Sequence, residues 1–260
     1  MVARLLGIYA EEMVYKPTMR NSRLTALGCA ARHGHIEVVH LLAPTSTTSP
    51  ESSHRDYLGS ALVEGVQAGN IKISEYLISA GVDVNFRHTG SALWHATSRN
   101  QLASVQLLLA SGADPDLGRP LFTAARYGRL DIVQALVEGG ADINFRDIAG
   151  RNVLPHTTSI ELLLFFLEHG ADPNDADYEG NTALHAACEQ HNVYGTAFVQ
   201  LLCEFGAVPD KTNDQRRTAV DLVLTNGTQE VVKILEPYVQ TPALQAKIAR
   251  WWESRETIEV

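Results

Sequence analysis

The side chains of this sequence with the most obvious chemistry are its ten histidines, its three cysteines and a few close acidic pairs. Catalysis or metal binding requires such groups at particular spacings. No His-Glu-x-x-His, Gly-x-Ser-x-Gly elbow, phosphate-cradling glycine loop or Cys-x-x-Cys occurs. Cys29, Cys188 and Cys203 are odd in number and widely spaced, which gives neither a disulfide framework nor a zinc set. Asp114-Pro115-Asp116 and Asn174-Asp175-Ala176-Asp177 are acidic enough to suggest calcium, but both fall in a short Asp-bearing turn that recurs along the chain. The expectation is no catalytic residue, no metal ligand and no cofactor.

The formal charge of -9 argues against a protein that coats nucleic acid or anionic lipid, since both need a basic surface. No stretch approaches the roughly 18 uninterrupted apolar residues of a membrane span. The apolar run Leu5–Ala10 is followed at once by Glu11 and Glu12, too short for a secretory signal. An intracellular protein, cytoplasmic or nuclear and monomeric on its own, is expected.

The elements that would position any functional side chain come from a repeat. A small residue, Ala or Pro, Leu and an Ala-Ala-like pair recur, followed later by Leu-Leu and Gly-Ala-Asp. The opening slot falls at Thr25, Ser60, Ser91, Arg119, Asn152, Thr182 and Thr218, separated by 35, 31, 28, 33, 30 and 36 residues. A Thr or Ser there caps a first helix, and the small Ala pair lets helices approach closely. Gly34, Gly69 and Gly128 end that helix. A second helix follows, with apolar residues at helical spacing such as Val105, Leu108 and Leu109, and an Asp-x-Asn hairpin leads to the next unit.

Thr182-Ala183-Leu184-His185-Ala186-Ala187, Ala30-Ala31-Arg32-His33-Gly34-His35-Ile36-Glu37-Val38-Val39 and Gly140-Ala141-Asp142-Ile143-Asn144 closely resemble the phrases of the ankyrin-repeat family. The resemblance implies an all-α solenoid of about seven stacked helix-turn-helix units over residues 20–237. It also implies that His95, His156 and His185 brace turns by hydrogen bonding. Residues 1–19, with Leu5, Ile8, Tyr9 and Met13 on one side, are expected to form an N-terminal capping helix. Residues 238–260 are expected to form a C-terminal capping helix and tail, opened by Thr241-Pro242. The polar stretch 44–55 reads as an insertion loop. The unit opening at Asn152 lacks about three residues and carries Pro155, which predicts a short or distorted first helix.

In such stacks the hairpin tips and the exposed end of each first helix line a concave surface. In the front units these positions carry Arg32, His33, Tyr57, Arg87, His88, Arg99, Arg126, Tyr127 and Arg151, and no acidic residue. The back units reverse sign, with Tyr178, Glu179, Glu189 and Asp214. The front-unit residues named here, together with Tyr178 and Glu189, are the predicted partner-binding set. The function expected is a protein-protein interaction module, acting as adaptor, inhibitor or assembly partner, whose arginines take an acidic protein segment in bidentate pairing. The alternative is an enzyme with a site built on groove residues such as His88, His95, Arg99 and Tyr127.

Overall fold

Thr25, Ser91 and Ser159 each accept the backbone N–H three residues on, at 3.0, 3.1 and 3.2 Å, and each stands at a helix start. The bond satisfies one of the donors that a helix start leaves unpaired. The computed structural model describes residues 25–43, 52–87, 90–189, 195–226 and 229–256. Among these residues the chain is all-α, with fourteen α-helices and only isolated bridges across three hairpins. The expected N-terminal helix, residues 44–51 of the expected loop and His88 lie outside the described residues.

The helices are α1 (Ala26–His33), α2 (Ile36–Leu42), α3 (Ser52–Gln67), α4 (Ile71–Ser79), α5 (Ala92–Ser98), α6 (Leu102–Ala110), α7 (Pro120–Arg126) and α8 (Leu130–Glu138). After a 3-10 turn at Leu154–His156 come α9 (Ile160–Glu168), α10 (Ala183–Glu189), α11 (Gly195–Glu204), α12 (Ala219–Asn226) and α13 (Gln229–Leu235). A second 3-10 turn, Glu236–Tyr238, precedes α14 (Pro242–Glu256). Contacts gather into two compact units, Met1–Ala124 with Asp131–Ala141, and Ala125–Leu130 with Asp142–Val260.

In the first unit α1, α3 and α5 pack side by side, and α2, α4 and α6 do the same. Ala30, Ala31, Ala61, Ala92 and Ala96 are buried with Leu27, Leu62 and Leu93, so the small residues lie where helices meet. Gly34 and Gly69 close α1 and α3 at φ of 79° and 76°, a left-handed backbone that costs a side-chain-bearing residue about 1–2 kcal/mol. One expectation fails here. Ser60 does not open a helix, because α3 starts at Ser52 and runs straight through it. The last four residues of the expected loop are therefore helical. Tyr57 is a half-buried helix residue rather than a hairpin tip, and Leu58 and Ser60 are buried. A Cβ on Gly59 would collide with the Phe86 ring, which shows how closely the following hairpin seats on this added part of the helix.

The second unit repeats the layering: α10 packs on α12, α11 on α9 and α13, and the 3-10 turn on α10. Its core contains Leu154, Leu163, Phe166, Leu184, Phe198, Leu202 and Val220. The 3-10 turn stands where the other repeats have a first helix. Pro155 contributes no N–H, and the Thr157 hydroxyl donates to the Leu154 carbonyl at 2.7 Å as the turn closes. At the other end α14 lies on α12 with Ile248 buried, the Trp251 indole N–H donating to the Leu224 carbonyl at 3.1 Å and Lys247 paired with Asp221 at 2.5 Å. No helix of the described residues is long and apolar enough to cross a membrane.

Candidate partner-binding surface

One turn recurs in the second unit. Oδ1 of Asp147 accepts the N–H groups of Ala149 and Arg151 at 2.8 and 3.0 Å. Asp177 does the same for Glu179 and Asn181 at 3.0 and 2.8 Å, and Asn213 for Gln215 and Arg217, both at 3.0 Å. An Asp or Asn side chain that holds its own turn in this way fixes the tip without help from a sheet. The tips are joined in a row by main-chain bonds of 2.9 Å, the Tyr178 N–H donating to the Ala149 carbonyl and the Asp214 N–H to the Glu179 carbonyl. Ile148 and Tyr178 project from this row, 83% and 73% exposed.

Beneath the tips, polar side chains tie repeat to repeat. Asn174 donates to the Gly206 carbonyl and accepts the Val208 N–H, both at 2.8 Å. In the first unit Asn85 donates to the Gly112 carbonyl at 3.2 Å and accepts the Asp114 N–H at 2.7 Å. His185 accepts the Thr182 N–H at Nδ1, 3.2 Å away, which leaves Nε2 to donate to the Arg217 carbonyl at 3.1 Å. This is the turn brace that the resemblance implies. Burial pushes the His185 imidazole below its ordinary value, against the pull of the Arg217 carbonyl. His95 is also buried; its ring meets the Gln67 amide at 3.1 Å, and burial followed by the nearby Arg99 charge lowers it.

His156 takes another partner, Oδ2 of Asp147 at 3.0 Å, and is lowered by burial and by Arg151 more than Asp147 raises it. Burial works to raise the Asp147 carboxyl, but the Arg151 side chain and the N–H groups of Arg151 and Ala149 outweigh it and hold it at about 2. Burial pushes the thiol of Cys203 up to about 11 and that of Cys188 higher than the ordinary cysteine range, so neither is a nucleophile at neutral pH. Among the described residues no group of three His, Cys, Asp or Glu side chains could hold a metal ion.

The arginines expected to face a partner fall into two kinds. Arg32 is ion-paired with Glu64 at 2.7 Å, and Arg151 with Asp147 at 2.8 Å. Neither carboxylate stood among the positions read from the repeat, although Asp147 lies four residues before Arg151 and could have been suspected from that spacing. Arg87 and Arg99 in the first unit, and Arg126 with Tyr127 in the second, are exposed, and no ion pair engages these three arginines among the described residues. His33 bonds back to the Cys29 carbonyl at 2.8 Å.

Arg151, Tyr178 and Glu189 are brought together at a recess of about 440 Å³ in the second unit, which Pro155, Glu179 and Ala186 also line. The recess borders the shortened first helix. Its neighbour α10 has seven residues and the 3-10 turn only three, and the missing turn leaves the hollow beside Ala186 and Glu189 unfilled.

Comparison with known proteins agrees with this architecture. The family model described as ankyrin repeats (3 copies) matches residues 1–88, 62–147 and 152–241. Human mitochondrial disaggregase is 31% identical over 197 residues, covering 72% of this chain and 27% of that protein. The Caenorhabditis elegans ankyrin repeat and KH domain-containing protein mask-1 is 31% identical over 160 residues, covering 57% of this chain and 6% of that protein. The chain thus spans only a minor part of these relatives. The crystal structure of the ankyrin repeat domain of Bcl-3 superposes with a TM-score of 0.71 at 26% identity, over 82% of this chain and 98% of that one. The human ASB11 ankyrin repeat domain does so at 0.66 and 21% identity, over 84% and all of it, a likeness of fold.

Proposed function

The chain belongs to the ankyrin-repeat family, whose domains are generally protein-interaction modules, and from that premise we propose that it holds a segment of a protein partner, with its arginine-bearing repeats taking acidic side chains. One contrast carries the proposal. The polar groups beneath the hairpin tips are used within the fold, His185 and Asn174 bonding to the next repeat and Thr182 to its own helix start, whereas Arg87, Arg99 and Arg126 stay exposed without a carboxylate partner among the described residues. A guanidinium left in this state offers a planar donor pair that matches a carboxylate. Tyr127 adds an exposed aromatic face beside Arg126. Arg32 and Arg151, already paired, contribute shape and hydrogen bonding more than net charge.

Holding a segment requires no chemistry, and the imidazoles and thiols described above are engaged in packing and bracing. The protein acts as an adaptor, inhibitor or assembly partner. The test is titration of the full chain with a fluorescent glutamate-rich peptide, followed by anisotropy. Wild type binds it in preference to the glutamine version, and Arg99→Glu with Arg126→Glu abolishes the preference while the melting temperature is unchanged. A preference that survives the double reversal with the fold intact refutes the acidic-partner reading.

A further inference from the structure

We infer that the recess of the second unit receives a lysine or arginine side chain of a partner segment, so that the protein reads a basic residue there. The inference rests on the reading of the chain as a segment-binding module, but on different residues and the opposite charge. Three observations carry it.

The first is the space. About 440 Å³ lies within the roughly 300–1,000 Å³ of clefts that take small ligands, and the repeat that borders it is one helical turn short. The second is charge. Among the described residues that line the recess the one cationic side chain is Arg151, and Asp147 neutralises it through bonds to Nε and Nη2 at 2.9 and 2.8 Å. Three lining carboxylates then remain, on Asp177, Glu179 and Glu189. Asp177 gives Oδ1 to two backbone N–H groups, and its Oδ2 accepts no bond among the described residues. Glu179 and Glu189 are exposed and form no ion pair among the described residues. The third is the aromatic ring. Tyr178 keeps its place in the row through its own N–H, yet 73% of its surface is open, and Gly150 lies against the ring so closely that a Cβ there would collide with it. A fixed, exposed tyrosine face flanked by carboxylates is suited to a cation: the ring holds the aliphatic stem and the edge of the charge, and the carboxylates take the N–H donors.

The test uses the full chain, labelled with nitrogen-15, and two short Gly/Ser peptides whose centres carry three lysines or three glutamates. The lysine peptide is expected to shift the backbone amides of Glu179, Asn181, Ala186 and Glu189 at near-physiological salt, and the glutamate peptide to leave them unmoved. Glu179→Gln with Glu189→Gln weakens the lysine peptide about fivefold or more, and Tyr178→Leu about twofold to fivefold, with the rest of the spectrum unchanged. Shifts spread evenly over every acidic surface residue, no shift at the recess, or a response untouched by the variants overturns the inference. The glutamate peptide's effect near Arg87 and Arg99 reports separately on the acidic-partner reading, so the two can fail independently.

Discussion

The hairpin asparagines allow a direct test of what holds neighbouring repeats together. Asn144 and Asn174 occupy the same slot of the Asp-x-Asn phrase in one compact unit, and each has its own N–H held by the preceding Asp at 2.9 and 2.8 Å, a bond that alanine retains. Their side chains differ. Asn174 makes two bonds of 2.8 Å to the next repeat, whereas Asn144 makes one contact of 3.5 Å to the Gly170 carbonyl, at the limit of a hydrogen bond. At a net ~1 kcal/mol per good bond, Asn174→Ala should cost about 2 kcal/mol and Asn144→Ala about 0.5 kcal/mol or less. Urea unfolding followed by circular dichroism gives both values from the shift in midpoint at constant slope. Equal losses, or a larger loss at Asn144, would show that the side-chain bonds between repeats do not set the stability and that the hairpins are held by something else.

Two further expectations concern pH and the hairpin turn. His95, His156 and His185 have folded values below the ordinary 6.5, so the unfolded chain binds the extra proton first. Their stabilisation is complete above about pH 6.5 and declines as pH falls through it, levelling off below the folded values. Urea midpoints should therefore drop between about pH 7 and pH 5, and a rise would refute the assignment. In the turn, Gly180 has φ 79° and an added Cβ would lie 3.0 Å from Asn213 Cα, while Arg216 fills the equivalent slot of the next hairpin at φ 59°. Gly180→Ala should cost about 2 kcal/mol and Arg216→Gly should gain about 0.5–1 kcal/mol, both read as urea midpoints.

Much of this was legible in the sequence where the determinant is local. Thr182 through Ala187 carries its own cap, its Ala pair and the histidine that braces the turn, and the short repeat with Pro155 becomes a single 3-10 turn for reasons visible in four residues. What was not legible depends on partners a repeat away. The extension of α3 back to Ser52 is not marked in the sequence because Ser52-Ser53-His54-Arg55 has no apolar period, and the close approach of Phe86 to Gly59 joins positions far apart in sequence. The net charge of the surface depends on such partners too. Glu64, 32 residues from Arg32, neutralises it across two repeats, and a count of arginines along the phrase cannot see that pairing.

The missing helical turn at Leu154–His156 has a consequence for the way the second unit opens. In a linear array the free energy of each module is its own plus that of its junctions, so the module with the fewest internal bonds is where a solenoid parts most readily. Here the first segment is closed by two backbone bonds, His156 N–H to Val153 and Thr157 N–H to Leu154, at 3.0 and 3.1 Å, with the Thr157 hydroxyl adding one side-chain bond at 2.7 Å. Its amides should exchange with deuterium sooner than those of α10, and the segment is the mechanical fuse of its unit. A ligand seated in the neighbouring hollow would slow that opening, making occupancy measurable as protection of residues it never touches.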